Sequence, residues 1–332
     1  MEKILIRSSN WLGDAVMSVP AVRALKRSNP GAHVAVLTPE KLADVWRLVA
    51  EVDEVIAFPA AKMFRVAKLI CGRGFDTAII FPNSLRTGLE MWLARIPRRV
   101  GYAGHKRRWL LTEVFSETKD VPANAPGRHQ VHHYLRLAEF LGAQAEPDRF
   151  FGFPDAAAKK SRKPGAPARI AICAGAEYGP AKRWLPERFA EVVQTLDDPA
   201  GSRWQLVGTA KDHAVAEQIA TLCETPANVE NLCGKTTLAQ FIAILRESDA
   251  LLTNDTGTMH LAALLGVPAV AIFGSTEPSL TGPLGSGHTV VRKRAECSPC
   301  FLRECPIDFR CMKEVESATV ADALRRVLGS CP

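Results

Sequence analysis

Thr253-Asn254-Asp255-Thr256-Gly257-Thr258-Met259-His260 follows the apolar run Ala250-Leu251-Leu252 and opens the apolar segment Leu261 to Leu265. That order predicts a strand, a tight polar turn and a helix. Such a turn aims backbone N–H groups and the positive end of a helix dipole at one point, which suits a phosphate. Asn, Asp and Thr also cap helices, but this run of cap-competent residues with a glycine exceeds what one cap needs. Asp255 and His260 flank the turn, so an anion can be held there while a carboxylate grips hydroxyls beside it. A second turn, Asn10-Trp11-Leu12-Gly13-Asp14, follows the strand Ile4-Leu5-Ile6 in the other half of the chain. One such turn in each half predicts a ligand gripped between two domains.

Working outward, residues 3–7 read as a strand and Asp14 to Lys26 as a helix, with Ala15, Val16, Val19, Val22 and Leu25 at helical spacing. Strands follow at His33–Leu37, Val55–Phe58 and Thr77–Phe81, the last preceded by a helix from Ala61 to Ile70. This alternation predicts an α/β domain with a parallel sheet and helices on both faces, over residues 1–154. Residues 155–168 hold clustered Pro, Gly and basic residues with no buried-face pattern, and read as a linker. Alternation restarts over residues 169–332. Strands are expected at Arg169–Cys173, Trp204–Val207, Ala250–Leu252 and Ala269–Phe273. Helices are expected at Pro186–Leu196, His213–Thr221, Leu238–Arg246, Thr258–Leu265 and Thr319–Leu328. Ligands of doubly wound sheets bind beyond the carboxyl ends of the strands, where both turns fall.

Two domains suit a chain of 332 residues. The formal charge of +7 favours anionic partners. Sparse interleaving of aromatics among the basic residues argues against single-stranded nucleic acid, and no nucleic-acid partner is expected. Met1-Glu2-Lys3 leads into only a strand-length apolar run before Arg7, and no apolar run approaches the roughly 18 residues of a membrane span. A cytoplasmic protein is the expectation. Of nine cysteines, Cys297, Cys300, Cys305 and Cys311 crowd together. Their C-x2-C half resembles a zinc or iron signature, but the second half is looser, so a structural metal and four reduced thiols both stand.

Asp14 sits where a helix begins, and is either its cap or a general base. Gly13 would let the chain turn sharply and expose the carboxylate, which the helix dipole would keep ionised. Gly175 to Trp184 follows a strand, and matches neither a G-x-G-x-x-G fingerprint nor a P-loop. Its Lys182 would neutralise a leaving phosphate. His260 is either a core histidine or a donor to a phosphate oxygen. Asn83-Ser84-Leu85-Arg86 follows another strand, and Arg98, Arg99, His105, Lys106, Arg107 and Arg108 come soon after. Such a run is either a solvated face or a surface for a phosphorylated acceptor. His129, His132 and His133 read as a helix surface.

Four stretches, in order, resemble one family: I-R-S-S-N-W-L-G-D-A-V-M-S-V-P-A from Ile6, F-P-N-S-L-R from Phe81, G-A-E-Y-G-P-A-K-R-W from Gly175, and T-N-D-T-G-T-M-H-L-A-A-L from Thr253. They resemble the bacterial lipopolysaccharide heptosyltransferases, glycosyltransferase family 9, from residue 3 to about residue 295. The resemblance implies a GT-B architecture: two Rossmann-like doubly wound domains with an interdomain cleft. It implies inverting transfer of L-glycero-D-manno-heptose from ADP-heptose to a Kdo-lipid A inner core that already bears one heptose. Asp14 would be the base and Lys182 the catalytic cation. Asp255, Thr256, Gly257, Thr258, His260 and Gly13 would contact the donor; Asn83, Arg86, Arg107 and Arg108 would contact the acceptor. No D-x-D pair follows a strand to hold a catalytic metal, and no cofactor is expected. The basic surface would dock peripherally on the anionic cytoplasmic face of the inner membrane. Another GT-B sugar-nucleotide enzyme, such as an epimerase, and a non-catalytic nucleotide-sugar binder are the alternatives. The cysteine cluster lies outside the family's transfer motifs.

Overall fold

A computed structural model describes residues 3–60, 62–116, 128–144, 151–153, 166–196, 201–223 and 228–329. The chain divides into two compact units, Met1–Phe151 and Gly152–Pro332. Most of the segment expected as a linker, residues 155–165, lies outside the described residues.

The first unit runs β1 (Lys3–Arg7), α1 (Leu12–Met17), α2 (Val19–Ser28), β2 (His33–Pro39), α3 (Ala43–Arg47), β3 (Glu54–Phe58), α4 (Met63–Ile70), β4 (Thr77–Ile80), α5 (Leu85–Leu93), β5 (Arg98–Tyr102), β6 (Glu113–Phe115) and α6 (Gln130–Phe140). The second runs β7 (Arg169–Cys173), α7 (Pro186–Thr195), β8 (Arg203–Leu206), α8 (His213–Leu222), β9 (Val229–Asn231), α9 (Leu238–Glu247), β10 (Ala250–Asn254), α10 (Gly257–Leu264), β11 (Ala269–Phe273), α11 (Pro278–Thr281), β12 (Thr289–Arg292), α12 (Arg310–Lys313) and α13 (Ser317–Gly329).

Each unit holds one six-stranded sheet, in the orders β3-β2-β1-β4-β5-β6 and β12-β11-β10-β7-β8-β9. Every strand pair is parallel. Numbered within its own unit, each sheet has the order 3-2-1-4-5-6, the doubly wound Rossmann arrangement. The order reverses between β1 and β4 in one unit and between β7 and β10 in the other, where the crossovers leave on opposite faces and open a crevice. The four stretches singled out in the sequence begin on or immediately follow those four strands. That topology is what makes them neighbours in pairs.

The central strands are apolar because both faces are covered. Ile4, Leu5 and Ile6 of β1 and Leu251 and Leu252 of β10 are fully buried. In the second unit Ile170, Ile172, Leu252 and Ile272 pack with Trp184, Phe189, Trp204 and Leu324. In the first, Leu5, Leu37, Ile56 and Ile80 pack with Val66, Ile70 and Met91.

The structure departs from the periodicity in two ways. The helix expected over Asp14–Lys26 is two helices that meet at Ser18. Pro20, at the start of α2, has no N–H to continue the ladder, and the Ser18 hydroxyl donates to the Ala15 carbonyl instead. β5, β6, β9 and β12 were not foreseen. β5 begins with Arg98-Arg99, which reads as a charge run; in the sheet, Arg98 forms two hydrogen bonds to Glu113 of β6, and Arg99 donates to the carbonyls of Leu110 and Ile96. No described helix is long and apolar enough to cross a membrane.

Candidate functional site

In the first unit the turn after β1 is held from below by Arg7. Its buried guanidinium donates to Glu90 at 2.8 Å, to the Ser8 carbonyl at 2.5 Å and to the Asn10 side chain at 3.3 Å. Burial lowers the Arg7 pKa, and the charge of Glu90 opposes that. The Trp46 indole N–H donates to the Ser8 hydroxyl at 3.0 Å. A rigid turn therefore delivers the chain into α1. Trp11 occupies the cap position, and Asp14 lies in the first helical turn, where the dipole favours a carboxylate. Asp14 is thus not the cap. Gly13 is helical and takes no left-handed backbone, so the sharp turn expected of it is not needed. Asp14 is half-buried, and the Tyr134 hydroxyl of α6 donates to its Oδ1 at 2.7 Å.

The turn after β4 adds Asn83 and Arg86. Ser84 caps α5, accepting from the Thr87 N–H at 3.3 Å. Arg86 is exposed and bonds Glu90 at 3.1 Å, so one buried carboxylate ties both turns together. The Asn83 amide lies against Gly104, and its Oδ1 is buried without a hydrogen-bond partner. Arg107 corrects an expectation. It is fully buried and donates to the carbonyls of Tyr102, Pro82 and Ser84, so it staples this loop and cannot reach an acceptor. Burial lowers its pKa to about 10. Arg108 is exposed, as are His105 and Lys106.

The second unit brings Lys182 and Asp255 together. Their side chains form an ion pair at 2.5 Å, both largely buried, and the Thr276 hydroxyl donates to the same Asp255 oxygen at 2.6 Å. Asn254 clamps the two loops: its Oδ1 accepts from the Trp184 N–H at 3.0 Å and its amide donates to the Ala174 carbonyl at 2.7 Å. Thr256 is the cap residue of α10, and Gly257 its first helical residue. The Cys173 thiol donates to the Thr258 hydroxyl at 3.4 Å, so this side chain turns toward β7. What the helix start offers an anion is its backbone N–H groups and dipole. His260 is buried in the first turns of the same helix.

A family model for glycosyltransferase family 9 (heptosyltransferase) matches residues 63–309. The chain belongs to this family. The chain is 33% identical over 313 residues to lipopolysaccharide heptosyltransferase 2 of Escherichia coli K12, which covers 87% of this chain and 88% of the relative. To lipooligosaccharide heptosyltransferase 2 of Haemophilus influenzae it is 30% identical over 318 residues, covering 87% and 88%. The solved structure of E. coli ADP-heptose LPS heptosyltransferase II matches with a TM-score of 0.80 and 29% identity over 98% of both chains. The protein is a glycosyltransferase of the GT-B class, built from two Rossmann-like domains.

Within this transferase, the cysteine-rich loop has a position that the sequence did not reveal. The Arg303 carbonyl accepts from the Ala181 N–H at 3.0 Å, and the Tyr178 hydroxyl donates to the Phe301 carbonyl at 2.8 Å. Any Cβ on residue 179 would come within 2.4 Å of the Arg303 carbonyl oxygen, so only glycine fits there. Lys182 and Arg303 both lie near the Tyr178 ring, at 5.0 and 5.1 Å from its centroid. The loop therefore braces the segment that carries Lys182. The Cys311 thiol is pushed up to about 11, by burial first and then by Cys297, Cys300 and Cys305. Among the described residues no group of three or more His, Cys, Asp or Glu is placed to hold a metal ion. Thr276, Tyr178, Arg303 and Tyr134 were all missed. Thr276, Arg303 and Tyr134 reach their partners across long stretches of chain with no local signature, whereas Tyr178 lies in the same loop as Lys182.

Proposed function

We propose that this chain transfers L-glycero-D-manno-heptose from ADP-heptose to the first heptose of the lipopolysaccharide inner core, with inversion. The observation that carries the reading is the Lys182–Asp255 pair beside the N-terminus of α10, in a chain of this family. A diphosphate drawn to that helix start would take Lys182 from Asp255, freeing the carboxylate for sugar hydroxyls. Thr256, Gly257 and Thr258 would supply backbone N–H groups, with His260 and Gly13 as further donor contacts. The likeness to E. coli ADP-heptose LPS heptosyltransferase II supports ADP-heptose as the donor over other nucleotide sugars.

Asp14 takes the proton of the acceptor hydroxyl as that oxygen bonds to the anomeric carbon. The bond from that carbon to the diphosphate oxygen breaks, and ADP leaves with the electron pair. The transition state has oxocarbenium character. Lys182 and the α10 dipole neutralise the charge that develops on the leaving group, and no step passes through a metal. Asn83, Arg86 and Arg108 would meet the Kdo and phosphate groups of Kdo-lipid A. An Asp14 oriented by a buried phenol favours this enzyme over a non-catalytic binder. The test is incubation of purified protein with ADP-heptose and a mono-heptosylated acceptor. ADP release matched by an acceptor mass gain of one heptose is expected; no mass gain overturns the reading.

Such an acceptor is membrane-bound, and the first unit carries a face suited to it. Trp92 and Trp109 are 47% and 64% exposed, with ring centroids 6.3 Å apart. Exposed Lys106 and Arg108 lie close to Trp109 in the chain, and neither has an ion pair among the described residues. Tryptophan suits the headgroup level and cations suit anionic lipid, so this face would dock peripherally on the cytoplasmic side of the inner membrane. Sedimentation with anionic vesicles should fall as salt rises, because charges are screened within about 8 Å at physiological ionic strength. Replacing Lys106 and Arg108 with Gln should weaken it further and leave ADP binding unchanged. An absence of vesicle binding at low salt would refute this docking.

A further inference from the structure

We infer that Tyr134 is a positioning residue for the transfer reaction: it donates to Oδ1 of Asp14 and fixes how that carboxylate is presented to the acceptor hydroxyl. The inference rests on the reading of Asp14 as the base. Its support is geometric. Tyr134 lies on α6 and Asp14 on α1, 120 residues apart, and their side chains meet at 2.7 Å. A carboxylate has torsional freedom about χ2. A donor that is itself immobile removes that freedom.

Tyr134 is immobile for reasons visible around it. It is buried, and its ring packs edge-on to Phe81 at 5.2 Å and to His133 at 5.4 Å. His133 is in turn stacked on Tyr102 at 3.9 Å, and the Tyr102 hydroxyl donates to the His133 carbonyl at 2.6 Å. Gln130, one turn earlier on α6, also hydrogen-bonds the Tyr134 side chain. The chain of contacts therefore runs from β5 through α6 to the carboxylate. Among the described residues the titratable groups facing Tyr134 are Asp14 on α1, Tyr102 on β5 and His133 beside it on α6. Burial, and then the charge of Asp14, raise the phenol well above its ordinary value. It stays protonated across the working range, and acts as a donor rather than a competing charge.

A role that merely clamps α6 onto α1 is separable from this one. A hydrogen bond donated to a carboxylate favours its ionised form, so losing it raises the carboxylate's pKa. Tyr134→Phe keeps the ring and removes only the donor. The experiment measures kcat and both KM values against pH for wild type, Tyr134→Phe, Asp14→Asn and the double variant, with thermal unfolding of each. Tyr134→Phe is expected to lower kcat about 10- to 100-fold, the scale of a hydrogen bond to a charged group, with donor KM nearly unchanged. The acid limb of the profile should move to higher pH, since the base now protonates earlier as pH falls. In the Asp14→Asn background the same substitution should cost little more, because it acts through Asp14. An unmoved acid limb, or a full additional loss in the double variant, overturns the inference while leaving Asp14 as the base. Wild-type turnover in Asp14→Asn alone would instead remove the base itself.

Discussion

Asp14→Asn is expected to lower turnover by about 10²- to 10⁴-fold, the usual cost of losing a general base. The substitution is nearly isosteric, and an amide oxygen can still accept from the Tyr134 hydroxyl. The first turn of α1 and its contact with α6 should therefore persist. Donor affinity should barely change, because the elements proposed to bind the diphosphate, Lys182 and the start of α10, belong to the second unit. Turnover at saturating substrates, set beside ADP calorimetry, checks both halves of this statement. Equal turnover in variant and wild type would reduce Asp14 to a residue that merely suits a helix start.

The second large effect is at Lys182, where binding and stability are entangled. Lys182→Ala should weaken ADP binding and slow transfer together, because a cation on the diphosphate acts before the transition state and more strongly within it. The ion pair adds another consequence. Asp255 is buried, and removal of Lys182 leaves it with the Thr276 hydroxyl in place of a counter-charge. Breaking a buried pair from one side costs about 3–5 kcal/mol, whereas removing both charges can be nearly neutral. Lys182→Ala should therefore unfold at markedly lower denaturant concentration, and Lys182→Met combined with Asp255→Asn should recover much of that loss without recovering activity. Denaturant titration of the wild type and the two variants, with ADP calorimetry, separates the terms. Unchanged stability and ADP affinity in Lys182→Ala would take Lys182 out of the site.

The legible part of the fold was its centre. β1, β4, β7 and β10 are short, mainly apolar runs closed by polar turns, because strands covered on both faces bury their central residues. The loops after them carry the candidate residues Asp14, Lys182 and Asp255, which local pattern alone singles out. The sheet edges were not legible, because β5 and β6 answer their charges across the ladder. Arg98 paired with Glu113 is invisible until the register is known. Arg107 was misread for the same reason: three carbonyls, that of Tyr102 and those of Pro82 and Ser84 in the loop after β4, absorb a charge that looks free in the sequence. Gly13 was credited with a turn that an ordinary helical residue provides. Tyr134, Thr276 and the brace from Arg303 depend on tertiary contact alone.

The account's central claim is a single displacement, with Asp14 as base and ADP leaving against Lys182. The measurement that tests it most directly is the anomeric configuration of the heptose in the isolated product, read by nuclear magnetic resonance beside that of the donor. Inversion is the predicted result. Retention would require a covalent or return-side intermediate for which this account has no residue, and would contradict it.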